Sequence, residues 1–254
     1  MLIEICCDSL AAVDAAIEGG AQRVELCAEL ALDGLTPPDA LVRHAVSAGI
    51  RTHVLIRPRA GDFVYSDLEA EAMLVAIRRA RLLGAHGVVI GALTPLGDID
   101  LPLCRRLVSA AGGGGEGCPL SITFHRAFDV CRSPEQALED IIRLGCHRLL
   151  TSGQAPSAFE GIPLLRRLVR QAAGRICIMP GAGVNADNAA LILRQTGATE
   201  LHGSFRTDGH TDAAAIRRAL SVRTRPSTSV RSPASAASSE AAWVGKPSLP
   251  ATRQ

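Results

Sequence analysis

The sequence predicts a (β/α)8 TIM barrel, and three observations carry that prediction. Eight short runs of apolar and β-branched residues, at 2–7, 23–28, 52–57, 87–92, 120–125, 148–152, 175–179 and 199–204, alternate with longer stretches of helical pattern. Their starts lie about 28 residues apart, room for a strand, a loop, a helix of about ten residues and a return, which is the βα unit of a parallel sheet. A helix-ending glycine followed by a small residue recurs before strands: Gly20-Ala21, Gly84-Ala85, Gly145-Cys146 and Gly197-Ala198. Eight such units in about 220 residues fit a small barrel better than a doubly wound sheet, which shows one dominant Gly-rich crossover.

The elements follow in order. Near-continuous apolar strands such as Gly87-Val-Val-Ile-Gly91 belong to a parallel sheet buried on both faces. Ser66 with Glu69, and Ser133 with Gln136 behind Pro134, predict two capping boxes that open helices. The run Gly-Gly-Gly-Gly-Glu-Gly at 112–117 reads as a surface loop before the fifth strand. From about Ser221 the pattern dissolves: Ser, Ala, Pro and Thr make 21 of the last 34 residues. Such a segment buries too little apolar surface to offset its ordering entropy, so residues 1–220 form the barrel domain and 221–254 a disordered tail. Trp243, the only tryptophan, lies in that tail, as a stray residue or a docking anchor.

Composition and charge exclude several classes. The chain is 47% apolar, 20% charged and only 3% aromatic, a globular composition whose core is built from Ala, Leu, Val and Ile. The formal charge is +2, but residues 221–254 hold five cations and one anion, which leaves −2 on the body. A body of that sign offers no footprint for nucleic acid. No apolar run reaches the roughly 18 residues that span a bilayer, so no membrane partner is expected. Glu4 and Asp8 near the start argue against a secretory signal and for a cytoplasmic protein. Eight cysteines with no C-x-x-C pair argue against a zinc module, and in a reducing compartment most are small buried hydrophobes.

Strand parity gathers the chemistry. Alternate residues of a barrel strand point inward, and an unpaired charge pointing outward would be desolvated beneath a helix. Glu4 with Cys6, Glu25 with Cys27, His53 with Arg57, Thr123 with His125, and Glu200 with His202 and Ser204 therefore share inner faces. Glu4, Glu25, Arg57, His125 and His202 are the catalytic candidates, as acids, bases and an anion grip; inner-layer ion pairing is the alternative. The long loop after the third strand adds Arg59 and Asp62. The glycine turns Gly181, Gly183 and Gly203-Ser204 lie where barrels commonly hold a phosphate or carboxylate, with a helix opening near Asn185. Cys6 and Cys27 occupy equivalent places on adjacent strands, and two soft thiolates suit Cu(I); two small packing residues are the alternative. Cys7, of opposite parity, packs beneath a helix.

The runs Glu4-Ile-Cys-Cys-Asp-Ser9, Gly19-Gly-Ala-Gln-Arg-Val-Glu-Leu-Cys27, Gly34-Leu-Thr-Pro37, Ile56-Arg-Pro-Arg-Ala-Gly-Asp-Phe-Val-Tyr-Ser66, Thr123-Phe-His-Arg-Ala-Phe-Asp129, Leu150-Thr-Ser-Gly153 and Met179-Pro-Gly-Ala-Gly183 resemble the CutC copper-homeostasis family. The likeness covers residues 1 to about 220 and brings Arg126, Asp129 and Ser152 in as ligand-contacting candidates. It implies a cytosolic, homo-oligomeric (β/α)8 barrel with Cu(I) at the positions of Cys6 and Cys27, and no nucleotide cofactor. The sequence departs from the family pattern at Ala60, usually glycine, and at Gly203, where some members have a cysteine. Two functions are expected: copper homeostasis, or a barrel enzyme acting on a small anionic or phosphorylated metabolite.

Overall fold

The computed structural model describes residues 1–112 and 119–221. Within them, strands and α-helices alternate: β1 (Leu2–Cys7), α1 (Leu10–Glu18), β2 (Arg23–Leu26), α2 (Asp39–Ser47), β3 (Arg51–Leu55), α3 (Asp67–Leu82), β4 (Gly87–Ile90), α4 (Leu101–Gly112), β5 (Ser121–Phe124), α5 (Pro134–Arg143), β6 (Arg148–Thr151), α6 (Ile162–Ala172), β7 (Cys177–Pro180), α7 (Ala189–Thr196) and β8 (Glu200–Gly203). A short ribbon of β9 (Arg206–Thr207) and β10 (His210–Thr211) then leads into α8 (Ala213–Ser221). The main strands pair in the order β7-β6-β5-β4-β3-β2-β1-β8, all parallel, and β7 lies beside β8 across the remaining seam. This is the expected TIM barrel.

Burial follows parity. Ile3, Ile5 and Cys7 of β1, Val24 and Leu26 of β2, and Val88 and Ile90 of β4 face outward into one large core shared with the helices. Inside the barrel lies a second, small apolar cluster of Cys6, Cys27, Leu55 and Val89, with Leu30 packed on it. Two histidines also fill the interior, and β4 makes room for them. A Cβ on Gly87 would stand 2.6 Å from His53 Nε2, and one on Gly91 would stand 2.5 Å from His125 Nδ1.

Several boundaries differ from the sequence pattern. Cys27, Arg57, His125, Ser152 and Ser204 lie one or two residues past the ends of their strands, although Cys27 and His125 still donate their N–H groups to the neighbouring strand. The seventh strand starts at Cys177, since Arg175 turns back to donate its N–H to Ala172 O at the end of α6. Ser66 and Glu69 form the expected capping box. Ser133 does not: it begins α5 without a side-chain bond, and Gln136 donates instead to Asp140 Oδ1. Helix α7 opens at Ala189 rather than near Asn185, whose Oδ1 accepts the N–H groups of Asp187 and Asn188 in a turn. Gly112 closes α4, so the loop expected at 112–117 falls otherwise outside the described residues, as do the tail from 222 and Trp243. Among the described residues no helix is long and apolar enough to cross a membrane.

Candidate functional site

A cavity of about 390 Å³ opens at the C-terminal mouth of the barrel, where β-strand ends place side chains from many segments on one wall. Cys6, Glu25, Cys27, Leu55, His125 and His202 come from five strands or their immediate extensions. Adjacent register explains the first three. Cys6 stands opposite Glu25 across the β1–β2 ladder, and Cys27 continues that ladder by donating its N–H to Cys7 O. The two sulfurs are consequently 3.5 Å apart, hydrogen-bonded to each other and buried. That bond and burial together push the Cys6 thiol well above its ordinary range.

Below the sulfurs lies a carboxylate and imidazole group. His202 Nδ1 is 2.9 Å from Glu4 Oε1 and 3.3 Å from Glu25 Oε2. Burial works to raise the Glu4 carboxyl, but the His202 hydrogen bond and the Arg23 charge reverse this and hold it well below the carboxylate range. Glu25 has no such support. Burial pushes it up to about 7, against the pull of His202 and Arg23, and its Oε2 has no aligned hydrogen bond. His202 is raised, since Glu25 and Glu4 outweigh its desolvation. His125 is driven down to about 3 by burial and by the Arg57 charge, so it stands neutral; its Nδ1 accepts from the Ala127 N–H and its Nε2 has no partner. A neutral base, a proton-holding acid pair and two thiols thus share one wall.

Single ligand atoms of Glu4, Glu25 and His202 all lie within 4.8 Å of one another. Arg23 already neutralises Glu4, which leaves the soft sulfur pair as the better place for a metal.

The chain matches the CutC family model over residues 1–207. It is 54% identical over 203 residues to the family protein CutC of Pasteurella multocida, covering 80% of this chain and 81% of that one. It is 52% identical over 206 residues to the Chromobacterium violaceum family protein CutC, at 81% coverage of each. The chain belongs to the CutC family. The crystal structure of a protein named for copper homeostasis, CutC from Streptococcus agalactiae, superposes at a TM-score of 0.76 with 35% identity, covering 82% of this chain and 100% of that one.

In this CutC-family barrel, the sequence-predicted residues divide into three groups. Cys6, Cys27, Glu25, Arg57, His125, His202, Arg126, Asp129, Gly183, Gly203 and Ser204 line the cavity, and Glu4 lies beneath it. Arg57 lies on the wall with its guanidinium committed to the carbonyls of Leu32, Gly34 and Gly61, so it ties loops together while keeping its charge beside the cavity. Ser152 and Gly181 lie behind the wall: Ser152 donates to Ala155 O, and Gly181 packs on Leu150 and His202. Arg59 and Asp62 are not brought to the cavity. They pair with each other, and Arg59 also with Glu69, along the outside of the loop after β3. Asp129 uses its second oxygen on the Thr151 hydroxyl and on the Ser152 and Gln154 N–H groups, fixing the β6 loop.

Two features escaped the sequence reading. Phe63, from the same loop as Arg59, turns in between the Arg57 guanidinium, 5.0 Å from its ring, and His125, 5.1 Å away, and roofs the cavity. Arg23 and Arg148 converge on Glu200 inside the barrel. The parity of residues 23, 25 and 27 carried a signal for Arg23; nothing in the spacing of the loop distinguished Phe63 from Tyr65.

Proposed function

We propose that this CutC-family protein serves copper homeostasis by holding Cu(I) between Cys6 and Cys27. The sulfur pair carries the reading: two thiols 3.5 Å apart on adjacent strands, facing a cavity and bonded only to each other, are a soft donor set an ion can enter by displacing their shared proton. The name of the Streptococcus agalactiae relative supports it. The reading places the protein in the cytoplasm, where thiols stay reduced, and every described cysteine is free. It also takes the protein as a homo-oligomer. Leu68, Val75 and Leu82 lie seven apart on one exposed line of α3, acidic in its first half and basic in its second, a pattern that pairs with an antiparallel copy of itself. A monomer in sedimentation equilibrium would remove that last point.

Anaerobic Cu(I) titration of the wild type and of Cys6→Ser/Cys27→Ser tests the metal site. The expected result is a saturable one-to-one site that the double variant loses and that tightens as pH rises, because a proton leaves a raised thiol. Equal affinity in both proteins removes the site.

A second reading, a barrel enzyme acting on a small anionic or phosphorylated metabolite, is favoured by the acid-base set beside the sulfurs. Glu25 and His202 would exchange a proton with the substrate, neutral His125 would polarise it, and Arg57, Arg126 and the turn at Gly183 would face its charge. A thermal-shift screen of phosphosugars and small carboxylates tests it, and silence across the library counts against it.

A further inference from the structure

The opposite end of the barrel has a mouth with its own chemistry. A cavity of about 370 Å³ opens there, where β3 to β6 begin, and its polar lining is Arg51, His53, His86, Ser121, His147 and Arg148. Five of these six side chains have a donor left over from their bonds within the fold. Arg51, the first residue of β3, is exposed and has no ion-pair partner among the described residues. Arg148 gives Nε to Glu200 at 2.9 Å and Nη1 to the Ser121 hydroxyl at 2.7 Å, leaving Nη2 without a bond and the Ser121 proton free to donate. His86 Nδ1 accepts from the Thr52 N–H, and His147 Nδ1 from the Ile122 N–H, both at 3.1 Å. That backbone bond fixes the tautomer, so each neutral ring carries its proton on Nε2. His53 forms the inner wall, fully buried, with neither ring nitrogen hydrogen-bonded. Among the described residues no Asp or Glu lines the cavity.

We propose that this mouth is an oxyanion site that takes a phosphate group, free or as a monoester. Two guanidinium groups, two imidazole N–H donors and the Ser121 hydroxyl approach from the starts of four consecutive strands, a spread that matches the several oxygens of a tetrahedral anion better than the two coplanar oxygens of a carboxylate. Among the described residues no lining carboxylate competes with an anion for these donors. The site is separate from the sulfur-lined cavity, and neither reading of that cavity depends on it.

Isothermal titration of the full-length apo protein with inorganic phosphate and with glycerol phosphate, in a phosphate-free buffer, tests the proposal. The expected result is one saturable site that weakens about tenfold in Arg51→Ala and in His86→Asn/His147→Asn. Asn keeps an acceptor near the Nδ1 position and removes the Nε2 donor, so these variants retain the bond to the neighbouring strand. Glu25→Gln and Cys6→Ser/Cys27→Ser, which alter only the other mouth, should bind phosphate with unchanged affinity. Tighter binding of the ester assigns the site to a phosphorylated metabolite, and equal binding assigns it to free phosphate. No saturable binding, or equal affinity in wild type and the Arg51 and histidine variants, overturns the proposal, as does loss of binding in Glu25→Gln alone.

Discussion

The barrel interior has two halves made by the same strands, and they handle polar groups in opposite ways. In the lower half, Arg23 bonds Glu4 and Glu200, Arg148 bonds Glu200 and Ser121, and His202 bonds Glu4, so that the carboxylates are closed on cations, while the His53 ring and Arg23 Nη1 are left without an aligned bond. One or two residues further along the same strands, Glu25 Oε2 and His125 Nε2 have no aligned bond, and the two thiols have only each other. A buried polar group left unbonded costs stability that a satisfied network does not. The carboxylates of the lower half therefore read as structure, while Glu25 and the thiols of the upper half face a cavity with capacity to spare.

Arg23→Met gives the largest effect expected from that division. It removes a fully buried cation and leaves buried Glu4 and half-buried Glu200 with fewer partners, at a cost of about 3 to 5 kcal/mol in equilibrium urea unfolding. A loss below about 1 kcal/mol would mean the network is not what holds the lower half, and the contrast would fail.

Glu25→Gln probes the upper half through pH. The folded Glu25 carboxyl binds its proton more tightly than the unfolded one, with a pKa moved from 4.5 to about 7. Its contribution is thus fully present below about pH 4.5 and lost as pH rises through 7. His202, also raised, acts with the same sign, while neutral His53 and His125 act with the opposite sign as acid charges their unfolded counterparts. The difference between variant and wild type isolates Glu25: between pH 5 and pH 8 Glu25→Gln should gain on the wild type by up to about 3 kcal/mol. A flat difference would place Glu25 in the same satisfied class as Glu4.

Much of this was legible in the sequence, and the gaps have physical causes. Period and spacing predicted the barrel, because a parallel strand buried on both faces has to be apolar and short. Parity placed Glu4, Glu25, His125, His202 and both cysteines on the inner wall, because a strand offers only two directions. Loops have no such rule. Arg59, Asp62 and Phe63 belong to one loop, and whether a loop charge meets a ligand or its neighbours depends on contacts that no period encodes; here Glu69, the capping residue of α3, takes Arg59. The strand Gly87-Val-Val-Ile-Gly91 was read only as buried, whereas its glycines are the complement of two histidines from β3 and the end of β5.

Those two glycines give the smallest test and the sharpest. Neither has a positive φ, so alanine there carries no backbone strain, and the cost of Gly87→Ala or Gly91→Ala is steric, about 1 to 3 kcal/mol. The two sites should respond differently to removing the histidine. The three nearest heavy atoms to a Cβ on Gly91 all belong to the His125 ring, so His125→Ala should recover most of the loss in the double variant. Around Gly87 the Ser121 carbonyl also stands 2.7 Å away, and this backbone atom remains when His53 is truncated. The coupling energy from the two double-mutant cycles should accordingly be large for Gly91 with His125 and small for Gly87 with His53. Equal rescue at both would mean that β4 shifts as a unit, and that the lower half of the barrel is no more rigidly held than the mouth.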